Sequence, residues 1–441
     1  MTVAVTMSVA VSVIAAADVA VGAAASPAGA RPGAYGFAPG ARSVTGAADP
    51  AEAVGLEPGR TYRGSIPRNG RLYYRLDLAA TTTAYVPVTA VPPAGTTVTA
   101  TDGIRVSVQD AHGGSCSFAS ARFGAGLSPR PVTALGRREA GKALCQGAGP
   151  YYVLVERLDA EGPGAAASAP QRWDLEIAPV TEPRLTRPGP TTAPRTWSSA
   201  SPEPLTGKPA DRSGGTGFAW AGLLGQGVWR TALAPGGTAF FKVPVDWGRH
   251  LQATAELGAA PGRGYVGGAL NLSLYNPARG YVDDAALGYT GTERSATLDP
   301  LPPVEYANRY AVIARAAAMR FAGDYYLVVH LSEQLAGTFG QGPFPVTLRV
   351  RIDGQAHAGP GYAGRSEPGG VFTVTEQDRE AAMTGGMGRT GGGDSGGDDT
   401  AMMALAVGGI GTGSALLLVL GGWTVAARRP QMRARAQKPT A

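Results

Sequence analysis

Gly149-Pro-Tyr-Tyr-Val-Leu-Val-Glu156 and Gly323-Asp-Tyr-Tyr-Leu-Val-Val-His330 carry the same pattern: a glycine, a tyrosine pair, then three aliphatic residues. Adjacent residues of a strand point to opposite faces, so one tyrosine of each pair belongs to a core and the other to an outer face. The repeat extends outward from these two stretches. Upstream, Tyr62 aligns with Trp229, and Tyr73-Tyr74 with Phe240-Phe241 at the same offset. Ala84–Ala90 corresponds to Leu251–Glu256, and Ile104–Asp110 to Leu270–Asn276, with apolar and polar residues alternating as in half-buried strands. Each copy closes on a further alternating stretch, Trp173–Ile177 and Val346–Ile352. Short strands separated by turn residues predict an all-β chain of two tandem antiparallel β-sandwich or jelly-roll domains, at 55–180 and 215–355.

The order of these strands, with the G-x-Y-Y block before the closing strand, resembles the bacterial pre-peptidase C-terminal domain family over both copies. The resemblance implies β-sandwich jelly rolls appended to secreted enzymes or surface proteins, with no catalysis of their own. Many members carry an aspartate near the first aromatic strand, where cations bind. Tyr73 and Phe240 stand there in this chain, so calcium binding is not carried over. The general layout also resembles actinobacterial cell-surface proteins. No D-x-S-x-S motif occurs in these residues, so the von Willebrand A domain that some of those proteins place upstream is not expected within them.

The ends of the chain set the expected topology. Ala401 to Ala427 contain no charged side chain, and Arg428, Arg429, Arg433, Arg435 and Lys438 follow. A bilayer core about 30 Å thick needs roughly 20 helical residues. A transmembrane α-helix is therefore expected at 402–427, in contact with membrane lipid. Trp423 would lie at the headgroups, and Arg428 and Arg429 would begin a cytoplasmic tail at 428–441. Residues 1–30 read as a signal peptide, with A-x-A sites at Ala23–Ala25 and Ala28–Ala30. No Lys or Arg precedes the apolar run and Asp18 interrupts it, which leaves open a start upstream of Met1 or an uncleaved second anchor. The expected arrangement is a single-pass type I cell-membrane protein with its ectodomain outside. Residues 181–214, rich in Pro, Thr and Ser, read as an extended linker, and 356–400 as a glycine-rich stalk with a short helix at Glu376–Met383.

The formal charge is +6, of which five units lie after Ala427, leaving +1 on residues 1–427. An ectodomain so nearly neutral has no pull on nucleic acid. The two cysteines, Cys116 and Cys145, fall in the first copy and are expected to form a disulfide outside the cell. No Cys/His spacing suggests a metal, and no cofactor is expected. Gly393-Asp-Ser-Gly-Gly397 reproduces the nucleophile segment of chymotrypsin-like proteases. It sits in a glycine run beside the expected span, without a nearby histidine in the right context, and reads as coincidence. His112 reads as a turn residue, His330 as a strand-end residue at the surface or an edge, and Asp283-Asp284 as a solvated loop. Tyr151-Tyr152 and Tyr325-Tyr326 each offer one ring to an outer face. The expected function is non-catalytic: extracellular binding or spacing, with a protein or cell-wall partner. The alternative is an accessory subunit that docks a secreted or membrane enzyme such as a protease.

Overall fold

The computed structural model describes residues 34–160, 172–194, 196–200, 203 and 205–384. The expected signal peptide, the span 402–427, Trp423, Arg428, Arg429 and the serine-containing stretch 393–397 lie outside these residues. Among the described residues no helix is long and apolar enough to cross a membrane.

Module 1 contains β1 (Arg42–Ser43), β2 (Val54–Gly55), β3 (Tyr62–Pro67), β4 (Arg71–Leu78), β5 (Thr83–Val91), β6 (Gly103–Gln109), β7 (Ser115–Arg122), β8 (Val132–Arg138), β9 (Gly149–Leu158), β10 (Arg172–Ile177) and β11 (Val180–Glu182). Module 2 contains β12 (Ala210–Asp211), β13 (Gly222–Leu223), β14 (Gly227–Leu233), β15 (Thr238–Val245), β16 (His250–Leu257), β17 (Val266–Tyr275), β18 (Tyr281–Tyr289), β19 (Arg294–Thr297), β20 (Gly323–Leu331) and β21 (Phe344–Asp353). One sheet of module 1 runs β1-β3-β10-β5, with β8 and β11 both on β5; its module 2 counterpart runs β12-β14-β21-β16-β19. The second sheets run β2-β4-β9-β6-β7 and β13-β15-β20-β17-β18. The two modules therefore share one strand order, apart from the added β11.

Register follows the sequence repeat residue by residue. Tyr62 lies opposite Arg42 and Ile177, and Trp229 opposite Ala210 and Leu348. Tyr74 pairs with Val153, and Phe241 with Leu327. Val108 pairs with Val153, and Leu274 with Leu327. Alternation builds each core: in β16 Leu251, Ala253, Ala255 and Leu257 point inward, while the residues between them are only half buried. Each sandwich closes over its own apolar cluster, around Tyr74, Val106, Val153 and Trp173 in module 1 and around Phe241, Leu272, Leu327 and Leu348 in module 2. Cys116 and Cys145 are bridged, tying β7 to the loop before β9; module 2 has no counterpart.

Several expected boundaries move. Module 1 begins at β1, ahead of residue 55, and module 2 at β12, ahead of residue 215. Both ends of the 181–214 linker are strand, because β11 pairs with β5 and β12 with β14. The largest correction concerns the stalk. Through residue 384 it is a strap that runs back over both modules. Thr181 bridges Glu367, Leu185 bridges Tyr362, and the strap ends in α3 (Glu376–Thr384), preceded in the chain by the short α1 (Ala314–Ala318) and α2 (Leu335–Phe339). Two apolar anchors, Tyr362 and Phe372, hold the strap down, and the densest glycine run of the expected stalk lies beyond residue 384.

Candidate functional site: the junction between the modules

In β5 every residue from Ala84 to Ala90 is buried, on both faces. One face fills the core of module 1. The other meets module 2. Tyr85, Leu135 and Val180 of module 1 pack there against Ala278 and Phe321 of module 2 and Phe372 of the strap. The Phe321 and Phe372 rings stack at 4.5 Å, and Tyr85 meets Phe321 edge-on at 5.3 Å.

Three ion pairs surround this apolar patch. Each takes its glutamate from module 1 and its arginine from module 2. Glu139 accepts from Arg320 at 2.9 Å, Glu176 from Arg279 at 2.6 Å and Glu182 from Arg309 at 2.6 Å. Their remaining lone pairs are also used. Glu182 accepts from the Tyr85 and Tyr362 hydroxyls at 2.8 and 2.9 Å, and Glu176 from the Tyr35 hydroxyl and the Ala38 N–H at 3.0 and 2.8 Å. Such saturation is what a desolvated carboxylate needs, since a buried charge left unpaired is strongly destabilising. Burial works against ionisation of Glu139, but Arg320 and Arg137 outweigh it and hold the carboxyl below its usual range. Burial likewise opposes the charge on Arg309, and Glu182 reverses that effect, so its pKa is raised.

Arg279 occupies an unusual backbone position. It lies in the turn between β17 and β18 with φ +56°, a region that favours glycine. The equivalent turn of module 1 has Gly113 there, at φ +81°. Both turns are held identically. Asp110 accepts from the N–H groups of His112 and Gly114, and Asn276 from those of Ala278 and Gly280. The left-handed residue that only module 2 makes non-glycine is the one that reaches across to Glu176.

His330 also crosses the junction and is not at the surface. Its Nε2 lies 2.8 Å from Ser128 Oγ and its Nδ1 2.9 Å from Thr238 Oγ1. Burial, with Arg130 nearby, pushes its pKa down to about 3. Ser128 and His330 are 1% and 3% exposed, so this serine–histidine contact is closed to substrate. It acts as a polar pin between the modules.

Beside the junction, a cleft of about 630 Å³ lies between the linker, module 2 and the strap, lined by Pro188, Trp247, Tyr306 and Pro360 among others. On its wall His357 Nε2 meets Glu305 Oε1 at 2.7 Å, and this bond raises the His357 pKa. The residues singled out from sequence are otherwise dispersed. Tyr151 and Tyr325 are core, and Tyr326 is half buried against Phe218. Asp283 and Asp284 lie in β18, not in a loop. Asp283 accepts from the Asp299 N–H, and Asp284 from Asn271 and Tyr281. His112 is in its turn. Among the described residues no group of three or more His, Cys, Asp or Glu side chains is placed to hold a metal. The junction glutamates carry no common sequence signal: Glu176 looks like an ordinary outward residue of an alternating strand, Glu139 lies just past the end of β8, and Glu182 falls in the stretch expected to be linker. The available signal was β5 itself, where Tyr85 interrupts the expected polar positions with a large ring.

No family model matches the chain, and no curated protein matches it. Solved structures do. The CUB1-EGF-CUB2 segment of human MASP-1/3 is 6% identical, covers 66% of this chain and 99% of its own, and has a TM-score of 0.17. The CBM22-1-CBM22-2 tandem of Paenibacillus barcinonensis Xyn10C is 10% identical, covering 67% and 91% at a TM-score of 0.18. The ANXUR2 extracellular domain of Arabidopsis thaliana is 9% identical, covering 68% and 86% at 0.16. Likenesses this distant carry no argument about function.

Proposed function

We propose that this chain is a non-catalytic, membrane-anchored cell-surface protein that presents two β-sandwich modules as one rigid body for extracellular binding or spacing. The observation that carries the reading is the junction. Three saturated Glu–Arg pairs, an aromatic patch and a strap fix the second module on the first. A freely jointed tandem would leave those faces polar and solvated. The Cys116–Cys145 bridge favours an oxidising compartment, and the uncharged stretch 402–427 with its basic flank favours an anchor. The like strand orders support a tandem of one β-sandwich type; the resemblance to pre-peptidase C-terminal domains implies no catalysis.

The test is topological. In intact cells an epitope placed in the β6–β7 turn is expected to be labelled from outside, and a C-terminal tag to resist external protease until the membrane is opened. A C-terminal tag cleaved on intact cells, or recovery of the chain in the cytosol, would reject the reading.

A further inference from the structure

The outer face of the β13-β15-β20-β17-β18 sheet is covered over half its width. Phe218 and Tyr35 cover Phe240 and Val328, and Ser128 covers His330. Phe218 also covers Tyr275 at the end of β17, but the rest of the half formed by β17 and β18 is open, with Asp284 and Ala286 exposed and Asn271 and Ser273 half buried. Cross-strand pairing puts Asn271 beside Ala286 and Ser273 beside Asp284 on this face, with Leu270, Leu272 and Leu287 turned to the core.

Tyr265 dominates the open half. Its side chain lies against Gly288: a β-carbon added there would fall 2.4 to 2.8 Å from the phenol oxygen and ring carbons. A glycine inside a strand is costly unless something must approach closely. Here the approaching group is a tyrosine that is still 69% exposed. The ring is thus seated by the backbone on one side and presented to solvent on the other. Farther along β18, a chain of polar groups is already oriented. Ser273 Oγ donates to Asn271 Oδ1 at 2.7 Å, Asn271 Nδ2 donates to Asp284 Oδ2 at 3.1 Å, and the Tyr281 hydroxyl donates to Asp284 Oδ1. From Gly288 to Asp284 the strand advances about 13 Å, at roughly 3.3 Å per residue. Module 1 borders the ledge: the backbone of Gly126 approaches Gly268, and Arg130 sits within electrostatic reach of Asp284. The site is therefore continuous with the junction between the modules.

We propose that this ledge binds a neutral carbohydrate chain. A sugar ring presents an apolar C–H face, which the Tyr265 ring matches. Its hydroxyls need fixed donors and acceptors, which Asp284, Asn271 and Ser273 supply. Charge favours a neutral ligand, because the charged groups placed at the ledge, Asp284 and the neighbouring Arg130, are of opposite sign. The inference gives the extracellular-binding reading a ligand class and rests on it only for where the ligand is met.

The experiment uses the full-length chain in a sugar-free detergent, titrated calorimetrically with chitohexaose, xylohexaose and cellohexaose. At least one is expected to bind with a millimolar or tighter Kd. Tyr265→Ala should weaken that binding about tenfold or more, Tyr265→Trp should retain it, and Asp284→Ala should weaken it. The thermal midpoint of the Tyr265 variants should not move, which separates lost binding from lost fold. The proposal is overturned if none of the three sugars binds, or if one binds Tyr265→Ala as well as the parent chain. Either result leaves the cell-surface labelling test standing, so the two readings fail separately.

Discussion

Glu182 shows what the junction demands of single residues. Its carboxylate is desolvated and held by one arginine and two tyrosines. Arg309→Met leaves that charge buried without a cation and is expected to cost about 3 to 5 kcal/mol, read as a shift in the denaturant midpoint. Arg309→Met combined with Glu182→Leu should recover much of the loss, because the uncompensated charge goes too. His330 makes the junction sensitive to acid. In the fold its imidazole stays neutral down to about pH 3, against an ordinary value of 6.5 in the unfolded chain. The unfolded state therefore binds the extra proton first, so stability falls as pH drops from 6.5 towards 3. Glu139 acts in the same direction at lower pH. Its folded pKa lies below 4.5, so its contribution is complete above that value and is lost as pH falls through the folded one. Unfolding free energies measured from about pH 7 to 4 should decline, and His330→Asn should flatten the upper part of that slope. A slope unchanged by His330→Asn would place the protonation elsewhere.

Elements explain why so much of the fold is legible before any coordinates and why the junction is not. Two copies of a period-2 pattern fix strand register, since a slip by one residue would turn every core side chain outward. Tyr62 against Trp229 and Tyr74 against Phe241 are therefore readable from alignment alone. An interface between modules has no period of its own. Glu176 within Trp173–Ile177 follows the alternation of a solvent-facing residue, and its role comes from partners distant in the chain, Arg279 together with Tyr35 and Ala38. The strap was hidden for a related reason: a glycine-rich composition says little about two well-placed anchors. The paired turns give a direct test. Asn276→Ala removes an acceptor that satisfies two backbone N–H groups, and about 1 to 2 kcal/mol should be lost. Arg279→Gly relaxes a left-handed residue by roughly 1 kcal/mol. It also strands Glu176, and the net change should be destabilising. For the disulfide, which closes a 29-residue separation, Cys116→Ala with Cys145→Ala should lower stability by roughly 3 to 4 kcal/mol in calorimetry or denaturant titration.

At the scale of the whole molecule, the tandem should unfold as one body. A calorimetric scan is expected to give a single transition for both modules, and Arg309→Met with Arg320→Met should split it into two. Two well-separated transitions in the unaltered chain would mean that the junction does not couple its halves. The strap also determines how the protein would respond to mechanical load. Arg379 clamps α3 to Asp246 at 3.0 Å through both guanidinium contacts, and upstream of that clamp the chain carries Phe372 and then Tyr362 before it reaches β21. Tension applied at residue 384 must first shear this clamp, then draw Phe372 from between the modules and release Glu182, all before any central strand feels the pull. In a single-molecule stretching experiment the two sandwiches should come apart from each other at low force, still folded, and rupture individually only later.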